Sequence, residues 1–195
     1  AALEAGLAVA PEHAGLNHFY IHAVEGSKHP EKAIHAAEIL DRMAPAAGHL
    51  VHMPAHIFMR TGRYEDASAA NRAAIRADET YLKQNPDQNF YMMYVAHNFQ
   101  FLASSAMMEG RSAEALEAAL TMRATMPAPV VKEMAPMLDG YMALPLHVMV
   151  RFGMWEKLLA EPRPPAYEPL TTALWRYGRA MALVGTRRPG DAAAE

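Results

Sequence analysis

Two copies of one pattern stand 34 residues apart in this chain. Asn17-His18-Phe19-Tyr20-Ile21-His22 and Val51-His52-Met53-Pro54-Ala55-His56 each carry His-x-x-x-His, so that His18 corresponds to His52 and His22 to His56. The same offset links Ala33 to Ala67 and Pro11 to Pro45. A fixed period constrains the fold more than any local propensity. Each unit is too small to bury a core alone and must stack on its neighbours. Composition says what the units are made of. Alanine supplies 39 of 195 residues, while valine, isoleucine and threonine together supply 21, a balance that suits helices and not sheets.

A register follows along the chain: units at 14–47, 48–81, 96–129 and 139–172, and an incomplete one at 173–195, with insertions at 82–95 and 130–138. Residues 1–13 read as the end of an earlier unit. The same place in each unit holds a small residue, Ala33, Ala67, Ala115 and Ala192, with Leu158 the exception. Turns fall at Thr61-Gly62-Arg63-Tyr64, Glu109-Gly110-Arg111, Phe152-Gly153-Met154-Trp155 and Val184-Gly185-Thr186. Glycine fits there because a helix end commonly needs a left-handed residue. The chain opens on Ala1 and its last helix has barely begun at Glu195, so it reads as a piece of a longer protein. A lost leader stays compatible with it, and the compartment is open.

This period, with its small mid-unit residue and the prolines Pro11, Pro45 and Pro127 near the unit ends, resembles the tetratricopeptide repeat. The resemblance covers nearly the whole chain. It implies an all-α fold, a single domain over 1–195 wound as a right-handed superhelix of antiparallel helix pairs. It also implies that the first helix of each pair lines a concave groove through its positions 2, 5, 9, 12 and 13. The spacing of the first four is one face of a helix.

Seven of the ten histidines fall on those positions: His49 and His97 at position 2, His18 and His52 at position 5, His22, His56 and His147 at position 9. Glu25 holds position 12 of the first unit. Two histidines four residues apart on a helix can chelate one metal, and neighbouring helices pack ~8–10 Å apart, a gap that facing imidazoles can close. The expected site therefore has His18, His22, His52 and His56 at its core, converging on one point. Glu25 and His49 stand next, Glu25 being one turn further along and His49 lying before Pro54, which tends to break a helix or mark its first turn. His97 and His147 follow, since insertions separate their helices from the second unit. Gln100, Tyr94 and Arg60 complete the groove, Arg60 as a partner for an anionic ligand and Tyr94 as a wall or proton donor. Imidazole with a carboxylate suits a divalent transition metal, zinc, copper or iron.

The two histidine segments also resemble a bacterial group of tetratricopeptide proteins with motifs of the form H-P-G-x-x-H-Y-x-I-H and H-x-x-H-M-P-S-H-I. Here Ala14 stands for the proline and Ala55 for the serine, and neither change removes a ligand. The resemblance sharpens the site and attaches no reaction to it.

The alternatives remain open at this point. A groove lined with imidazoles can instead hold a peptide, a protein or a small molecule without metal, and some of the histidines can be plain structural residues. The many methionines read as flexible core filler. Other classes are excluded more firmly. The formal charge is −3 with no basic run, which argues against nucleic acid. There is no cysteine, so thiolate ligands and cysteine nucleophiles are absent. No apolar run is long enough for a transmembrane helix. No phosphate loop, nucleophile elbow or H-E-x-x-H motif supports a known catalytic class.

Overall fold

A computed structural model describes residues 1–43, 46–85 and 91–195. The chain is all-helical, with no strand among the described residues. It divides into two compact units, Ala1–Glu109 and Gly110–Glu195.

The first unit holds α1 (Ala2–Val9), α2 (Ala14–Glu25), a 3-10 turn (Pro30–Ala33) running into α3 (Ile34–Met43), α4 (Gly48–His52), α5 (Pro54–Arg60), α6 (Tyr64–Gln84) and α7 (Met92–Met108). The helix α2 packs on α3, α4 and α5 pack on α6, and α6 packs on α7. Small residues let these helices approach: Ala33, Ala37, Ala55 and Ala67 are fully buried beside Ile21, Leu40, Ile57 and Phe58. Burying such an aliphatic or aromatic side chain is worth ~1.5–3 kcal/mol, so this cluster fixes the helices that carry the histidines.

Pro54 does break its helix. The first helix ends at His52 and the second starts at Pro54, with Met53 between them in the right-handed helical region, φ −51° and ψ −39°. The missing amide costs nothing at the first position of α5, and the chain direction carries on. The expected first insertion, 82–95, is partly absorbed: α6 runs to Gln84 and α7 begins at Met92, while Pro45 and residues 86–90 lie outside the described residues.

The second unit holds α8 (Ser112–Thr125), α9 (Ala128–Glu133), α10 (Ala135–Met142), α11 (Leu144–Arg151), α12 (Trp155–Ala160), α13 (Pro169–Gly185) and α14 (Pro189–Ala192). The second insertion is helical in its own right, as α9 and the start of α10. Leu158, the break in the run of small residues, is fully buried. A Cβ placed on Gly178 would meet its side chain at 3.1 Å, so the neighbouring helix supplies the missing space.

Left-handed residues close three of the expected turns: Gly62 (φ 78°), Gly110 (φ 76°) and Gly153 (φ 63°). The fourth differs. Gly185 is the last residue of α13, and Arg187 (φ 63°) takes the left-handed conformation instead. Gly185 is needed for closeness, because a Cβ there would fall 2.6 Å from the Trp155 ring.

Candidate metal centre

Six histidines of the first unit form two triads. His18 and His22 of α2 join His49 of α4, and His52 of α4 joins His56 of α5 and His97 of α7. In each triad one ring nitrogen per residue lies within 4.8 Å of the other two. The expected core of four is thereby divided between two groups. His49 completes the first and His97 the second. The triads adjoin, with ring centroids 5.6 Å apart for His22 and His56 and 6.4 Å for His49 and His52.

The closest nitrogen pairs have the spacing that ligands of one metal take. His18 Nε2 and His49 Nε2 are 3.1 Å apart, and His52 Nε2 and His56 Nε2 are 2.9 Å apart. Two nitrogens bonded to one metal at ~2.0–2.1 Å lie about 2.9–3.4 Å from each other as the angle opens from square to tetrahedral.

The partners on the other side of the rings decide which nitrogen is free. Asn71 Nδ2 donates to the carbonyl of Ala67, which turns Asn71 Oδ1 toward His52 as an acceptor. His52 Nδ1–H donates to it over 2.7 Å, leaving a lone pair on His52 Nε2. Glu25 accepts from both triads. His22 Nδ1–H donates to Oε1 over 2.8 Å, and His56 Nδ1–H donates to Oε2. The Nε2 lone pairs of His52 and His56 thus face one another, a repulsive arrangement that a cation between them would relieve. Orientation of the outer nitrogen by a carboxylate or amide is the usual support of a ligating histidine.

Burial keeps these rings in the form a metal binds. It pushes His49 and His56 down to about 4, although the Glu25 carboxylate pulls His56 the other way. It holds His52 well below its ordinary value, the like-charge effect of His56 adding to it. His18 and His97 are lowered by burial as well. Neutral imidazole is the ligating species.

The second helix α6 supports the site from behind. Its buried Asp78 accepts from the hydroxyl of Tyr91 and from Asn98 Nδ2, both over 2.7 Å, and burial raises its carboxyl. Gly48, which opens α4, packs so closely on Asp78 that a Cβ there would overlap the carboxylate. That network ties the start of α4 to α6 and α7, and so His49 and His52 to His97. Phe101 lies 4.6–4.8 Å from the rings of His52, His56 and His97, and Tyr94 lies 5.0 Å from His49. The Gln100 side chain adjoins His97 and opposes the lowering that burial causes.

Other expected residues go elsewhere. Arg60 donates to the carbonyl of Ser27 over 3.2 Å. His147 is exposed on α11, in the second unit. His13 caps α2, accepting from the amide of Leu16, and His29 pairs with Glu31. Asn71, Asp78 and Phe101 were not singled out by the sequence reading. For the first two a signal exists: Asn71 interrupts the buried stripe Ala67, Ala70, Ala74 of α6 with a polar side chain, and Asp78 continues it with another.

No family model, curated protein or solved structure matches this chain.

Proposed function

We propose that the protein is a metal-binding member of the tetratricopeptide-like helical repeats, holding divalent transition metal, of the zinc, copper or iron type, through the histidines of its first unit. The observation that carries this reading is the pair of triads, each offering three nitrogens within 4.8 Å. A shared proton can relieve one facing nitrogen pair, but it gives no reason for a third imidazole at the same point. A metal ion gives that reason, and imidazole is its usual ligand in this series. The register supports the placement of the site on a groove face, since His18 and His52, and His22 and His56, hold equivalent positions of successive repeats. Three nitrogen ligands leave a position for water or substrate, the condition for metal-assisted chemistry.

Elemental analysis of untagged protein purified without chelators tests this. Near-stoichiometric transition metal is expected, and the double variant His22→Ala with His56→Ala loses it while keeping its helical circular dichroism. Metal-free protein that also takes up none on dialysis contradicts it.

A second reading, a non-catalytic scaffold for a peptide or protein partner, draws on α13. Tyr177, Met181 and Val184 are exposed by 53%, 38% and 54%, and they sit at positions 5, 9 and 12 of the last repeat, one apolar stripe. Metal-free protein in which changes to these three residues abolish partner capture, with the histidine variants silent, favours the scaffold.

A further inference from the structure

Among the described residues, Glu25 is the only carboxylate that accepts from both triads. Its Oε1 accepts from His22 of the first triad and its Oε2 from His56 of the second, and the rings of these two histidines are 5.6 Å apart between centroids. We infer that the triads form one two-metal centre: each holds an ion, Glu25 fixes one ligand of each through their outer nitrogens, and a small anion, such as hydroxide or azide, bridges the ions. This rests on the metal-binding reading.

Charge and coordination both point to the bridge. Three neutral imidazoles leave each ion short of the fourth ligand that a tetrahedral site takes. Two divalent ions side by side repel four times as strongly as two single charges at the same separation. Glu25 alone offsets one of their four positive charges. A second anion placed between the ions completes both coordination shells and screens the repulsion at once, and two-metal centres of this kind space their ions ~3.5–4 Å apart. The Phe101 ring against His52, His56 and His97 and Tyr94 against His49 thin the water around the site, which strengthens the attraction to such an anion. When the bridge forms from water, one O–H bond breaks, its proton leaves to solvent and hydroxide stays on the ions, an acidity that bound metal confers. The buried and unpartnered Nδ1 of His49 leaves that ring free of an outer tether, so it can turn to meet an ion in the first triad.

Copper(II) and azide test this on the metal-stripped protein. Two equivalents bound by elemental analysis, with an electron paramagnetic resonance spin count well below two and an absorption change on adding azide, are expected from a bridged pair. His97→Ala leaves one equivalent with its full spin count. Glu25→Gln, whose amide has a single acceptor oxygen, lowers the affinity of both ions, by ~10–100-fold if it acts as outer-shell partners usually do. One equivalent in the parent protein, or two with a full spin count, overturns the two-metal centre and leaves the metal-binding reading standing. No uptake at all overturns that reading itself.

Discussion

The stretch from Gly48 to Tyr64 and the stretch from Asp139 to Trp155 have one framework and different contents. Pro54 and Pro145, His56 and His147, Arg60 and Arg151, Gly62 and Gly153, and Tyr64 and Trp155 are all separated by 91 residues. In both stretches a proline lies in the first turn of a short helix, α5 or α11, and a left-handed glycine follows its end. His52 corresponds to Ala143 and His49 to Gly140, however, and among the described residues only the first stretch contributes to the histidine triads. The helix that follows explains more of the contrast. The 21-residue α6 reaches far enough to present Asn71 and Asp78 behind the rings. Its counterpart α12 has six residues and stops before Pro162, Pro164 and Pro165, which cannot continue a helix. A histidine at the right register position is therefore insufficient. His147 has the register, but among the described residues it belongs to neither triad.

The largest expected effect breaks the first stretch outright. His22→Ala with His56→Ala removes one ligand from each triad, and metal affinity measured by competition with a chelator falls by more than ~100-fold, beyond the cost of losing an outer partner. Next comes Asn71→Ala, which leaves the ligands and removes what orients His52. Its metal affinity is expected to fall ~10–100-fold. The metal-free variant loses ~1–3 kcal/mol in urea denaturation because the His52 Nδ1–H is left buried without an acceptor.

Acid should separate the two stretches in the metal-free protein. An unfolded histidine titrates near 6.5, whereas His49 and His56 in the fold are pushed down to about 4. Between those values the unfolded chain binds more protons, so the stability carried by these neutral rings is complete above 6.5 and drains away as pH falls toward 4. Thermal melts across that range should show the decline, and His49→Phe should blunt it. Smaller still is the shared framework. Gly62→Ala and Gly153→Ala each force alanine into the left-handed region and should cost a similar ~1–2 kcal/mol. A large inequality between them would mean that the two stretches do not share a framework. Smallest of all, His147→Ala should leave metal content unchanged.

How much of this was legible beforehand differs between the fold and the site. Helices follow from the alanine content and the 34-residue period, and Gly62, Gly110 and Gly153 mark their turns. The same logic misplaced the last turn, because Gly185 is spent on closeness to Trp155 and Arg187 adopts the left-handed conformation. The clustered histidines were visible as His18, His22, His49, His52, His56 and His97, but their division into triads was not. Helix spacing alone pairs His18 with His22 and His52 with His56. It cannot tell that His49, three residues before His52 on the same short helix, turns to the other group. Nor can it assign Glu25 to both, since that depends on how α2 and α5 meet.

Equilibrium dialysis of chelator-stripped, untagged protein against zinc(II) tests the central claim most directly. Saturable uptake is predicted, abolished in the His22→Ala, His56→Ala double variant and unchanged in His147→Ala. Folded protein that takes up no zinc, or loses none of its uptake in the double variant, would contradict it.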